Sequence, residues 1–83
     1  MYKVEISRVA QKDLNKVDIK YRPHIWAAMY DLQKNPFLGK RLSGDLKNCY
    51  SLRVGDYRIL YEISHKILMI LIIRIGHRQG IYK

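Results

Sequence analysis

The chain opens on "YKVEIS", where Tyr2, Val4 and Ile6 alternate with Lys3 and Glu5. A period of two marks a half-buried strand. The period then changes. Behind Ser7, whose hydroxyl suits a helix start, Ala10, Leu14 and Val17 recur at helical spacing. Ile25, Met29 and Leu32 repeat the stripe and predict a second helix from Asp18 to Lys34. Pro23 fits its first turns, and Pro36 ends it, because the residue before a proline resists helical geometry. "FLGKRLSGDLKN" reads as a glycine-bearing loop. Alternation returns in "CYSLRV" and "YRILYEI", joined by Gly55-Asp56, a pair suited to a two-residue hairpin. The run from Ile67 to Ile75 is apolar on both faces, as a central strand is. The pattern predicts an α+β fold: an N-terminal strand, a two-helix hairpin, then a three-stranded antiparallel meander. The helices pack on one face of a four-stranded sheet.

The hairpin fixes a register. A two-residue loop sets Val54 opposite Tyr57 and therefore Arg53 opposite Arg58. Tyr50, Leu52, Val54, Tyr57, Ile59 and Tyr61 share an apolar face, which must carry the helices. Arg53 and Arg58 then meet on the open face. Like charges directly across a strand pair are destabilising. Either each guanidinium finds an acid, with Glu62 the nearest on that face, or a bound anion settles both. Gly76, His77 and Arg78 follow the central strand, and Gly76 permits a sharp turn that brings Arg78 and Tyr82 to the same patch.

Charge sharpens this reading. Sixteen Lys and Arg oppose seven Asp and Glu, for a net charge of +9. So large an excess on one 83-residue domain, residues 1–83, favours a polyanion such as nucleic acid. Cys49 is the only cysteine, so no intramolecular disulfide forms, and nothing has zinc-ligand spacing. No signal-peptide pattern follows Met1, and the longest apolar run is too short to span a bilayer. A cytoplasmic protein without metal, cofactor or membrane partner is expected.

Three segments carry a family resemblance: the helical hairpin ending in "LQKNP", the stretch "KRLSGDLKNCYSLRVGDYRILYEI", and the close "RIGHRQGIY". Together they resemble the RelE toxins of the RelE/ParE toxin–antitoxin superfamily, nearly end to end. The "L-x-G" of "RLSGDL" and the "YRILY" strand are common to the superfamily, whereas "GHR" with a following tyrosine leans toward its nuclease members. The resemblance implies a ribosome-dependent endoribonuclease that cuts mRNA in the decoding site and is silenced by a cognate RelB-like antitoxin. By position, Arg53 matches a family lysine, Arg58 and Arg78 match family arginines, and Tyr82 matches a tyrosine behind a shorter spacer. His77 stands where members carry lysine or histidine, and Ser51 where the type member has a lysine.

The implied chemistry is attack of an RNA 2′-OH on the neighbouring phosphorus, which needs no metal. Arg58 suits the phosphoryl clamp, because a guanidinium fork matches phosphate oxygens. Arg78 is a second clamp or leaving-group stabiliser, and Arg53 holds the phosphate or raises the local potential. Arginine is a poor proton acceptor, which leaves His77 as the titratable candidate. Tyr82 can stack on a base. Lys12, Lys16, Lys20 and Arg22 are candidate grips on RNA backbone, and Ser51 joins the RNA-facing set. Two alternatives stay open: a ParE-like toxin that poisons gyrase, and a non-catalytic toxin homologue.

Overall fold

In the computed structural model of the protein, residues 1–42, 44 and 48–77 are described. The elements run β1 (Lys3–Ile6), α1 (Arg8–Lys16), α2 (Arg22–Lys34), β2 (Lys40–Arg41), β3 (Cys49–Val54), β4 (Tyr57–Ser64) and β5 (Met69–His77). They form one sheet in the order β1-β5-β4-β3-β2. β1 lies parallel to β5, and the other pairs are antiparallel. The α+β class and the helix-bearing face stand as the hydrophobic pattern predicts. The expected four strands become five, because Lys40 and Arg41, inside the presumed loop, pair with Ser51 and Tyr50.

Local chemistry explains the helix limits. The Ser7 hydroxyl accepts from Ala10 N at 3.0 Å and so caps α1. The same hydroxyl donates to Ile73 O at 3.0 Å, tying the helix start to β5. α2 begins at Arg22 rather than Asp18. The intervening residues form a turn in which Lys20 N donates to Asp18 Oδ1 and Tyr21 N to Asp18 O. Pro23 then sits in the first turn of α2, where its missing N–H costs nothing.

The core lies between the helix pair and the inner face of the sheet. Ile25 and Leu32 of α2 meet Ile59, Tyr61, Ile70 and Ile72, all fully buried. Tyr61 also organises the edge beyond α2. Its hydroxyl donates to Pro36 O at 2.7 Å and accepts from Gly39 N at 2.9 Å. A Cβ on Gly39 would stand 2.6 Å from that oxygen and 2.9 Å from Ser51 O, so glycine is required there by close approach.

One irregularity decides which way the end of β5 faces. Leu60 pairs with Arg74, but Tyr61 pairs with Ile72, so Ile73 has no partner on β4. This bulge reverses the alternation of β5. Ile70 and Ile72 point to the helices before it; Ile75 and His77 do so after it, opposite Ile59 and Tyr57. Gly76 falls on the open face beside Arg58. It is a strand residue here, not the turn anticipated from sequence.

Candidate functional site

β3 and β4 pair as the hairpin dictates, with Arg53 opposite Arg58 on the open face. Gly76 is the neighbour of Arg58 on β5, and a Cβ there would meet nothing within 4 Å among the described residues. No described side chain stands over Gly76 beside Arg58. Among the described residues neither arginine has an acidic partner, Glu62 included. Each is held by a neutral acceptor instead, and from opposite directions. Arg53 Nε donates to Gly55 O in the turn at 3.2 Å, while Arg58 Nη1 donates to Ser51 Oγ at 3.3 Å. Arg58 Nε is buried without a hydrogen-bond partner among the described residues. A buried donor left unpaired costs about 1–3 kcal/mol. Two facing cations without an acidic partner among the described residues are an arrangement that an anion would neutralise.

Ser51 is only 4% exposed and spends its hydroxyl on Arg58. His77 is not brought to the arginines. Its register puts it on the helix-bearing side, where its ring lies 4.6 Å from that of Tyr57. Arg78 and Tyr82 lie outside the described residues. Lys12, Lys16 and Lys20 are exposed along α1 and the turn after it. Arg22 is committed elsewhere. Its Nε donates to Val17 O at 3.0 Å and its Nη2 to Asn15 O at 2.8 Å, which satisfies carbonyls left free where α1 ends. Cys49 is buried, and burial, with the Glu62 charge adding to it, pushes its thiol pKa up, so it stays protonated.

A second arginine environment was missed in the sequence. Arg74 Nε donates to Asp13 Oδ2 at 2.8 Å and Nη2 to Oδ1 at 3.3 Å, while Ile75 N donates to Oδ2 at 3.0 Å. β1 stops pairing at Ile72, so β5 beyond it has a free edge. Asp13 reaches across from α1 to close that edge. Burial acts to raise its carboxyl pKa. The bonds from Arg74 and Ile75 and the charges of Arg74 and Lys16 outweigh burial and hold the pKa below the ordinary 3.8. The available signal was a lone acid in a helix otherwise charged by Arg8, Lys12 and Lys16, set beside the buried Leu14.

Comparison with known proteins gives the family. Residues 4–82 match the model described as the ParE toxin of the type II toxin–antitoxin system parDE. The chain belongs to the RelE/ParE superfamily of type II toxins. Toxin RelG of Mycobacterium tuberculosis is 35% identical, with the alignment covering 99% of this toxin and 97% of that relative. Toxin RelE of the same organism is 34% identical over 99% of this toxin and 87% of that relative. Among solved structures, the M. tuberculosis toxin–antitoxin complex RelBE2 superposes at a TM-score of 0.86 with 32% identity, covering 93% of this toxin and 98% of that chain. The isolated Escherichia coli RelE toxin superposes at 0.83 with 20% identity, covering 99% and 92%, a likeness of fold. No helix among the described residues of this toxin is long and apolar enough to cross a membrane.

Proposed function

We propose that this toxin is a ribosome-dependent endoribonuclease that cuts mRNA through attack of a 2′-OH on the adjacent phosphodiester. The observation that carries the proposal is the facing pair Arg53 and Arg58, held by neutral acceptors and without an acidic partner among the described residues. Charge that accumulates on the phosphoryl oxygens during attack is what such a pair would stabilise. Arg58 takes the clamp and Arg53 supports it. Arg78 and Tyr82 enter by family position alone. Lys12, Lys16 and Lys20 supply backbone affinity without sequence choice. In the proposal the toxin acts in the cytoplasm, on the ribosomal decoding site, and is silenced by a RelB-like antitoxin. Support for that partner comes from the relatives solved as toxin–antitoxin complexes, RelBE2 of M. tuberculosis among them.

The proton acceptor is a separate question. His77 is the histidine at this end of the sheet, and its ring rests on Tyr57 away from Arg58. A pH–rate profile of wild type and His77→Gln distinguishes the cases. Loss of the acidic limb in the variant assigns the base to His77. Persistence of that limb, the outcome the register favours, places proton transfer elsewhere.

A second reading has its own support, since the matching family model is described as a ParE toxin. In that reading the toxin poisons gyrase and performs no RNA chemistry. Primer extension on programmed ribosomes separates the two. Breaks within the ribosome-bound message, absent from free mRNA, support the nuclease. An intact message with accumulated gyrase–DNA cleavage complexes overturns it. An intact message without such complexes leaves a non-catalytic homologue.

A further inference from the structure

We infer that Ser51 is a positioning residue whose buried hydroxyl aims the Arg58 guanidinium at the bound phosphate. The inference rests on the phosphate-site reading above and adds a residue to it. At 4% exposure the hydroxyl of Ser51 is withheld from an RNA strand lying over the sheet. It is within reach of Arg58, whose Nη1 donates to it at 3.3 Å. Ser51 and Arg58 are not direct cross-strand partners; Ser51 faces Leu60, and Arg58 faces Arg53. The bond therefore runs diagonally and draws the Arg58 guanidinium along β3, away from the turn. Arg53 is drawn the other way, to Gly55 O. The two restraints hold two like charges apart while keeping both on one face.

A free arginine side chain loses considerable rotamer entropy when it grips a phosphate. A neutral acceptor that fixes it beforehand removes part of that loss. Only one of five N–H donors is used, so the fork keeps donors for two phosphate oxygens. A lysine at this position would add a cation and supply no acceptor. Serine does the reverse, so its contribution to cleavage is expressed through Arg58.

The experiment combines single-turnover cleavage on programmed ribosomes with NMR of the Arg58 side-chain Nε–Hε in purified protein. Ser51→Ala is expected to slow cleavage about tenfold, the worth of one hydrogen bond, with ribosome affinity unchanged. Ser51→Thr, which keeps the hydroxyl, recovers most of the rate. In an Arg58→Lys background, Ser51→Ala causes no further loss. The Arg58 Nε–Hε signal changes in Ser51→Ala and keeps its wild-type position in Ser51→Thr. Full activity in Ser51→Ala, equal losses in Ala and Thr variants, or an added loss in the Arg58→Lys background would each overturn the inference. Wild type that leaves the message intact overturns the nuclease reading instead. The NMR signal then still decides whether Ser51 orients Arg58.

Discussion

Two arginine environments stand on the same sheet, and they are built on opposite principles. Arg74 is given everything a guanidinium needs: a carboxylate in two-point contact, itself held by a backbone N–H and only 11% exposed. Arg53 and Arg58 are given each other, two neutral oxygens and, for Arg58 Nε, nothing among the described residues. The first arrangement closes a free strand edge and completes itself within the protein. The second leaves charge and donors unspent. A cation that serves the fold is paired; under the proposed function, a cation that serves a ligand is restrained in direction and left short of an acceptor. The difference is more informative than the net charge, which treats all these arginines alike.

The comparison breaks most easily at Arg58. Arg58→Ala is expected to lower the single-turnover cleavage rate by about 10²–10³-fold, the usual effect of losing a preorganised donor to a developing negative charge. Its melting temperature should not fall. The substitution removes a like charge across the strand pair and an unpaired buried donor. Those gains offset the packing lost with the side-chain stem and the bond lost by the Ser51 hydroxyl. Thermal denaturation alongside the cleavage assay checks both halves. A melting temperature well below wild type would mean that Arg58 belongs with Arg74, as a cation of the fold.

How much of this was legible beforehand differs from strand to strand. The β3–β4 register was readable because polar and apolar residues alternate next to Gly55-Asp56, from Ser51 to Val54 and from Tyr57 to Ile59, and only Leu60 and Cys49 break the pattern farther out, so the turn and the two faces agree. β5 carried no such marker. In "ILMILII" every residue is apolar, and an apolar run gives no sign of where its phase slips. The bulge at Ile73 was invisible for that reason, and with it the side taken by His77. β2 is two charged residues long, too short for any period to show. The start of α2 was misplaced because Asp18 competes with helix by bonding to its own neighbours. Asp13 was overlooked because helical periodicity weighs apolar positions, and its role depends on a strand edge that only the tertiary fold exposes.

Asp13→Asn tests the other member of the comparison, and its expected effect falls on stability alone. At neutral pH the variant should melt a few degrees below wild type, since Arg74 loses its charged partner. Cleavage per folded molecule should hold. The pH dependence follows from the direction of the shift. Asp13 has a folded-state pKa below its ordinary 3.8, so its contribution is complete above that value. It is lost as the pH falls through the lower folded-state pKa. The wild-type and variant melting curves should therefore converge in acid and separate above pH 3.8. A constant gap across that range would show that the carboxylate charge is not what holds β5.

The smallest effect is the most discriminating, because salt changes its sign. Arg53→Thr removes one of the two facing cations and puts a good strand former in an exposed position. Relief of like-charge repulsion is worth a few tenths of a kcal/mol, up to about 1. Loss of the bond to Gly55 O works against it, so the net change in low salt is a slight gain. The repulsion, unlike the hydrogen bond, is screened. The screening length falls from about 10 Å at 0.1 M salt to about 3 Å at 1 M. Salt should therefore stabilise wild type relative to Arg53→Thr and erase the variant's advantage. At Asp13 and Arg74 the same salt weakens an attraction, so wild type loses ground relative to Asp13→Asn. Denaturant titrations of the three proteins at both salt concentrations should show the two gaps moving in opposite directions. If salt lowers wild type relative to both variants, Arg53 and Arg58 are not repelling one another, and the pair is satisfied within the protein after all.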